Sequence, residues 1–182
     1  LDNDGWLDLF VSNGMTRDWV NSDLPAEFEK RGGKHTEESR LFMLGQPKKK
    51  DANMAFQNQG DLTFKDVGIE WGLSRNAVSF GAAFGDLDSD GALDLVVNNF
   101  EERATVYRNR LRHKSSIKFR LIGVESNRDG IGSTVRIKTE EGLQVRYLTL
   151  SRGFMSADDP IVHFGVGNQI KVDHVEIRWP SG

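Results

Sequence analysis

The stretch FGDLDSDGALDLVVNN, residues 84–99, constrains the fold more than any other part of the chain. Asp86, Asp88, Asp90 and Asp94 fall within nine positions, with Gly91 among them and an apolar run behind. Carboxylates this close repel one another strongly with no cation among them, and a divalent ion would convert that repulsion into cohesion. The opening of the chain, LDNDGWLDLFVSNG (residues 1–14), matches residues 87–100 at nine of fourteen positions. An aspartate turn that twice feeds straight into LDL-x-V points to a β-scaffold made of like units.

Counted from Asp86, the aspartates occupy loop positions 1, 3, 5 and 9, with glycine at 6, which is oxygen-ligand spacing for Ca²⁺. Alternating side chains in a turning loop can aim at one point, and Gly91 supplies the positive φ of the sharp turn. The expected ligand set is Asp86, Asp88, Asp90, Asp94 and the carbonyl of Ala92. In the first copy it is Asp2, Asp4, Asp8 and the carbonyl of Trp6, without a leading aspartate. An EF-hand closes with a bidentate Glu at position 12 between helices. Here position 12 is Val97, or Val11 in the first copy, and strand-like sequence follows. The pattern is therefore a fixed cation loop in a β-hairpin rather than a helix-opening sensor. The bland alternative is an Asp-Gly turn with incidental acids, which the duplicated spacing disfavours.

The 86-residue offset is long for one repeat. AFQNQ (55–59) and VYRNR (106–110) share an apolar-aromatic-polar-Asn pattern, but the first lies 48 residues from Asp8 (to Phe56) and the second 13 from Asp94 (to Tyr107). An insertion of 35 residues, roughly 15–50, accounts for the difference and leaves a repeat of 51, the size of a four-stranded propeller blade. Within the insertion, Ser22 or Asp23 and then Thr36 are candidate helix caps, with Gly32 and Gly45 as stops, so two short helices are expected. Lys48–Lys50 reads as a solvated loop. Strands are expected at 7–11, 62–67, 78–84, 93–97 and 105–108. Beyond residue 110 the texture changes. SIKFRLIGV, STVRIKT and VEIRW alternate apolar and charged residues, as sheets with one wet face do, and no aspartate cluster recurs. The boundary is placed at 111–116, giving propeller blades over 1–110 and a second β-domain over 111–182.

A net charge of −3 argues against a general nucleic-acid binder, and the absence of cysteine excludes disulfides and thiolate metal sites. No stretch has the length and apolarity of a membrane span. The sequence lacks G-x-S-x-G, H-E-x-x-H and P-loop patterns. Gly165-x-Gly167 is followed by Ile170, so it reads as a strand-end turn rather than a dinucleotide fingerprint. His35, His113, His163 and His174 are scattered, and His163, in an apolar strand, is expected to be packed and hydrogen-bonded. Asp158 and Asp159 before Pro160 read as a turn more than as a carboxylate pair. Trp6, Trp19, Trp71 and Trp179 are expected in cores or blade junctions.

FGAAFGDLDSDGALDLVV resembles the FG-GAP/VCBS repeat of integrin-type β-propellers, and LTFKDVGIEWGLS (62–74) is similar to the segment joining one such blade to the next in bacterial members. Asn127-Arg128-x-Gly130-Ile131-Gly132, His163-Phe164-Gly165-x-Gly167 and Trp179-Pro180-Ser181-Gly182 resemble the ASPIC/UnbV domain. Together they resemble the cartilage-acidic-protein-like family. The resemblance implies a mainly β fold: a partial propeller of about two incomplete blades, then an antiparallel β-domain, with short helices in the insertion. It implies Ca²⁺ as cofactor, an exported, cell-envelope or cell-surface location, and a non-enzymatic role in adhesion or recognition of an extracellular protein or glycan. The alternative is an accessory, non-catalytic region of a larger secreted or envelope enzyme. The chain reads as a fragment, its first cation loop cut short and its last domain ended at Gly182, so the remaining blades are expected partners.

Overall fold

A computed structural model describes residues 1–18, 20–111 and 114–182; Trp19 and His113 lie outside the described residues. Among the described residues, thirteen strands dominate. The first repeat holds β1 (Leu9–Val11), β3 (Met54–Asn58) and β4 (Phe64–Asp66), paired antiparallel in the order β1-β3-β4. The second holds β6 (Ser79–Gly85), β7 (Asp94–Asn99) and β8 (Thr105–Tyr107), in the order β6-β7-β8. Two short strands, β2 (Asp51–Ala52) and β5 (Asn76–Ala77), pair with each other between them.

The register sets the two three-stranded sheets in equivalent positions. Leu9 lies opposite Phe56, and Leu95 lies opposite Tyr107. The 51-residue offset that matches Phe56 with Tyr107 thus coexists with the 86-residue offset that matches Leu9 with Leu95. A period-two pleat then decides the faces. Phe10 and Ala55 from the first sheet pack with Leu95, Val97, Ala82, Phe84 and Tyr107 from the second, and Val67, Leu73 and Trp71 seal the junction. The opposite face of the first sheet stays open. Leu9 is 48% and Val11 41% exposed, whereas their counterparts Leu95 and Val97 are 2% and 0% exposed.

The insertion carries α1 (Asp23–Lys30), a 3-10 turn (Gly33–His35) and α2 (Glu37–Gly45). Gly32 ends α1 at φ +92°, where a Cβ would strain. Thr36 caps α2 by accepting from the Ser39 N–H at 3.2 Å. Ser22 holds the cap position of α1 but makes no side-chain bond there. The Asn21 side-chain Oδ1 accepts from the Asp23 N–H at 3.1 Å, so an Asx turn one residue earlier satisfies an orphan donor of the first turn. Lys48, Lys49 and Lys50 each find an acidic partner, Glu101, Asp18 and Glu102.

The remaining strands pair only among themselves within the described residues. β9 (Ser115–Arg120) pairs with β12 (Ile161–Gly167), and β10 (Thr134–Thr139) is flanked by β11 (Gly142–Tyr147) and β13 (His174–Arg178). Their inner faces meet at Leu121, Val135, Ile137, Leu148, Val162, Phe164 and Val166, with Phe119, Ile177 and Trp179 at the margin. Phe119 meets Phe164 edge-on at 5.9 Å, a favourable aromatic geometry.

Candidate metal centre

The aspartate loop spans the connection from β6 to β7. Asp94, the first residue of β7, is 2% exposed. One of its oxygens accepts from the Leu87 N–H at 3.0 Å and the other from the Asn109 N–H at 2.8 Å. Asp86 follows the incoming strand directly and folds back over the turn, accepting from the Asp90 N–H at 3.0 Å and the Gly91 N–H at 2.9 Å. Ser89 at φ +60° and Gly91 at φ +93° turn the backbone sharply enough for this. As a result Asp86, Asp88 and Asp94 each bring a carboxylate oxygen within 4.8 Å of the others.

Asp90 is not part of that convergence. Its oxygen accepts from the Ala92 N–H at 3.0 Å, an Asx turn that satisfies a local donor and aims the carboxylate along the loop. Two cations press on the cluster: Arg108 pairs with Asp88, and Lys118 with Asp86. Burial pushes the Asp86 carboxyl up, but the Lys118 hydrogen bond and the Gly91 and Asp90 N–H groups outweigh it, so it ionises more readily than usual.

The first loop repeats the second closely. Asn3 at φ +59° and Gly5 at φ +99° stand where Ser89 and Gly91 stand. Asp4 accepts from the Trp6 N–H at 2.9 Å as Asp90 does from Ala92, and Asp8 accepts from the Asn58 N–H at 3.0 Å as Asp94 does from Asn109. Yet among the described residues Asp2, Asp4 and Asp8 do not converge as Asp86, Asp88 and Asp94 do. Asp2 accepts from Gln57 Nε2 and Lys114 Nζ, both at 2.9 Å. Burial raises the Asp2 carboxyl, but the hydrogen bonds from Lys114, the Asp4 N–H and Gln57, with the Lys114 charge, together more than reverse that. Asp4 ends above its ordinary value, through burial first and the neighbouring Asp2 charge after the opposing Trp6 bond.

The C-terminal sheets lie on both loops. The Gly91 carbonyl accepts from Ser116 Oγ at 2.6 Å and Asn3 Nδ2 at 3.1 Å, and His163 Nε2 stands 3.0 Å away. The Gly167 N–H donates to the Asn3 carbonyl at 2.8 Å, and Arg146 donates to the Gly5 carbonyl at 3.0 Å. His163 is therefore a packing and hydrogen-bonding residue, with burial pulling its pKa down. Asp158 accepts from the Phe84 N–H at 2.9 Å, which makes it a tie between C-terminal unit and propeller strand. Trp71 and Trp179 pack at core margins, whereas Trp6 is 55% exposed, its ring beside Gly60. Gly165 presses so closely on Asn3 that a Cβ there would lie 2.4 Å from the Asn3 Cα.

Lys114, Lys118, Arg108, Gln57 and Asn3 escaped the sequence reading. Nothing local distinguishes Lys118 from Arg120 on the same polar strand face. For Arg108 and Gln57 a signal existed: the 51-residue offset aligns them, and each holds the aspartate of its own repeat, Asp88 or Asp2.

The donor set suits a hard divalent cation. It is all oxygen, it carries three carboxylates, and an ammonium and a guanidinium already stand in as positive charge. Residues 41–97 match the FG-GAP-like repeat and residues 123–182 match ASPIC and UnbV. Cartilage acidic protein 1 of Xenopus tropicalis is 26% identical over 148 residues, 79% of this chain and 21% of that protein. The mouse and human proteins of the same name are 26% identical over 133 residues, 69% of this chain and 20% of theirs. The chain thus spans about a fifth of the length of the relatives it matches. Two separate parts of it match an FG-GAP-like repeat and ASPIC and UnbV.

Proposed function

We propose that this chain, in which an FG-GAP-like repeat is joined to an ASPIC and UnbV segment, is part of a non-enzymatic, calcium-binding module for adhesion or recognition outside the cell. The convergence of Asp86, Asp88 and Asp94 carries the reading. Oxygen-only ligation in a loop, without the near-octahedral rigidity that Mg²⁺ demands, favours Ca²⁺. Bound there, the ion would neutralise the cluster and stiffen the turn that supports the C-terminal sheets. Asp90 and the Ala92 carbonyl are proposed as further ligands. One Asp90 oxygen accepts from the Ala92 N–H, and the other is the one proposed to ligate. The loop of Asp2, Asp4, Asp8 and the Trp6 carbonyl is proposed as the weaker site, since its carboxylates do not converge and Lys114 and Gln57 occupy Asp2.

The extracellular reading rests on the FG-GAP-like match and on relatives named for cartilage. The ligand is proposed to be an extracellular protein or glycan, held by loops on a rigid β-scaffold. Further blades are proposed as intramolecular partners of the open face at Leu9, Val11 and Met54, because the equivalent face of the second repeat is buried against the first.

Titration calorimetry tests the metal reading. Ca²⁺ should bind with an affinity of order 10⁻⁴–10⁻³ M, typical of extracellular modules, and Mg²⁺ more weakly. Asp88→Ala, which removes a carboxylate with no backbone duty, should abolish the tighter phase. A parent that takes up no Ca²⁺, or a tight phase that survives Asp88→Ala, overturns the reading.

A further inference from the structure

One short segment of the C-terminal unit sends a lysine into each aspartate loop. Lys114 Nζ reaches Asp2, and Lys118 Nζ, four residues on, reaches Asp86. Between them Ser116 donates to the Gly91 carbonyl. The neighbouring strand holds the lysine in place, since His163 lies directly opposite Lys118 in the β9–β12 pairing and its Nε2 also faces Gly91 O. The Asp86 side chain is only 4% exposed and that of Lys118 34%, so the carboxylate is covered while the ammonium stays within reach of water.

We propose that Lys118 is the resident counter-ion of the Asp86 loop and that a divalent cation must displace it, so that metal affinity is set partly by how the C-terminal unit docks. The inference rests on the calcium reading above. An ammonium on an Asp86 oxygen and a divalent ion held by the same carboxylate repel across a few ångströms in a partly dehydrated turn. The other two carboxylates do not create this link. Asp94 is committed to backbone N–H groups of its own repeat, and Asp88 pairs with Arg108, which flanks β8 of the same repeat. Among the described residues, Lys118 is the cation at this cluster that comes from the other sheet system. Linkage is reciprocal: whatever the lysine subtracts from metal binding, the metal subtracts from the lysine contact. The Ser116 and His163 contacts to Gly91 do not involve the carboxylates, so the exchange loosens one prong of the dock rather than undocking the unit.

The test is calorimetry with Ca²⁺ at fixed ionic strength on the parent chain, Lys118→Met, which keeps an apolar stem but no charge, and Lys118→Arg, which keeps the charge. Lys118→Met should bind Ca²⁺ about tenfold more tightly than the parent, within the usual span of coupling between sites, and Lys118→Arg should resemble the parent. Acetylation of the parent with an amine-reactive ester, read by mass spectrometry, should become faster at Lys118 when Ca²⁺ replaces chelator. Lys65, paired with Glu70 on the surface, serves as the unchanged control. Equal affinities in parent and Lys118→Met, or a Lys118 labelling rate indifferent to Ca²⁺, overturn the inference and leave the calcium site standing. No Ca²⁺ binding by the parent or by either variant overturns both.

Discussion

Asp94 carries a structural duty that can be separated from any metal. Its two oxygens accept the Leu87 and Asn109 N–H groups, and the residue is 2% exposed. Asp94→Ala leaves both donors without a partner in a site with little room for water. A hydrogen bond to a charged group contributes ~1.5–3 kcal/mol, so two lost bonds amount to roughly 3–6 kcal/mol. Arg108 and Lys118 already offset the charges of Asp88 and Asp86, so relief of repulsion returns only about 1 kcal/mol, the value for a fully water-screened pair. The expected net loss is therefore roughly 2–5 kcal/mol, with chelator present throughout. Asp94→Asn should fall between parent and alanine, because one oxygen still accepts while the amide faces a second N–H. Urea unfolding followed by circular dichroism at constant m-value provides the measurement. A loss below about 0.5 kcal/mol for Asp94→Ala in chelator, typical of a plain surface substitution, would refute the argument that these two bonds fasten the loop.

Gly165→Ala should separate the C-terminal sheet from the first loop, since the new methyl would meet Asn3 backbone rather than a movable side chain. Hydrogen exchange should quicken at Asn3 and Gly167, and protection unchanged from the parent would show that the contact is slack. His163 has a folded pKa below the ordinary imidazole value, chiefly through burial. The unfolded chain therefore takes up the proton first, so stability is full above about pH 6.5 and declines as pH falls from there toward the folded value. His163→Gln keeps a donor for Gly91 and should flatten that decline in chelator; an unaltered pH slope would assign it to other groups. Thr36→Ala removes the cap of α2 at a loss of about 1 kcal/mol, visible as faster exchange over 37–45 with the strands unaffected. Equal exchange in parent and variant would show that Ser39 finds another acceptor.

The repeat was legible because it is written in residues that no other local structure needs: the Asp-x-Asp-Gly turn, the LDL-x-V strand, and an asparagine at a fixed distance past the aromatic. The asparagine had more meaning than its pattern showed, since Asn58 and Asn109 each give their backbone N–H to the aspartate that opens the neighbouring strand. The Thr36 cap and the Gly32 stop were legible for the same local reason. Asp90 illustrates the limit. Loop position alone makes it equivalent to Asp88, but an available Ala92 N–H two residues on turns its carboxylate along the chain.

What the sequence determined by itself was most of what depends on neighbours within a turn or two of chain: the position of the aspartate turns, the alternation of faces, the two short helices, and the change of texture after residue 110. Tertiary structure alone decided which charges meet. Lys114 and Asp2 are 112 residues apart, and Lys118 and Asp86 are 32 apart. Whether a lysine on a polar strand face ends in water or on a carboxylate is set by how two sheet systems dock, and that docking is fixed by shape. The bare backbone of Gly165 fits against Asn3, and the Gly91 carbonyl gathers Ser116, His163 and Asn3. Shape complementarity between distant surfaces has no period and no spacing along the chain, so it becomes visible only once the surfaces are folded.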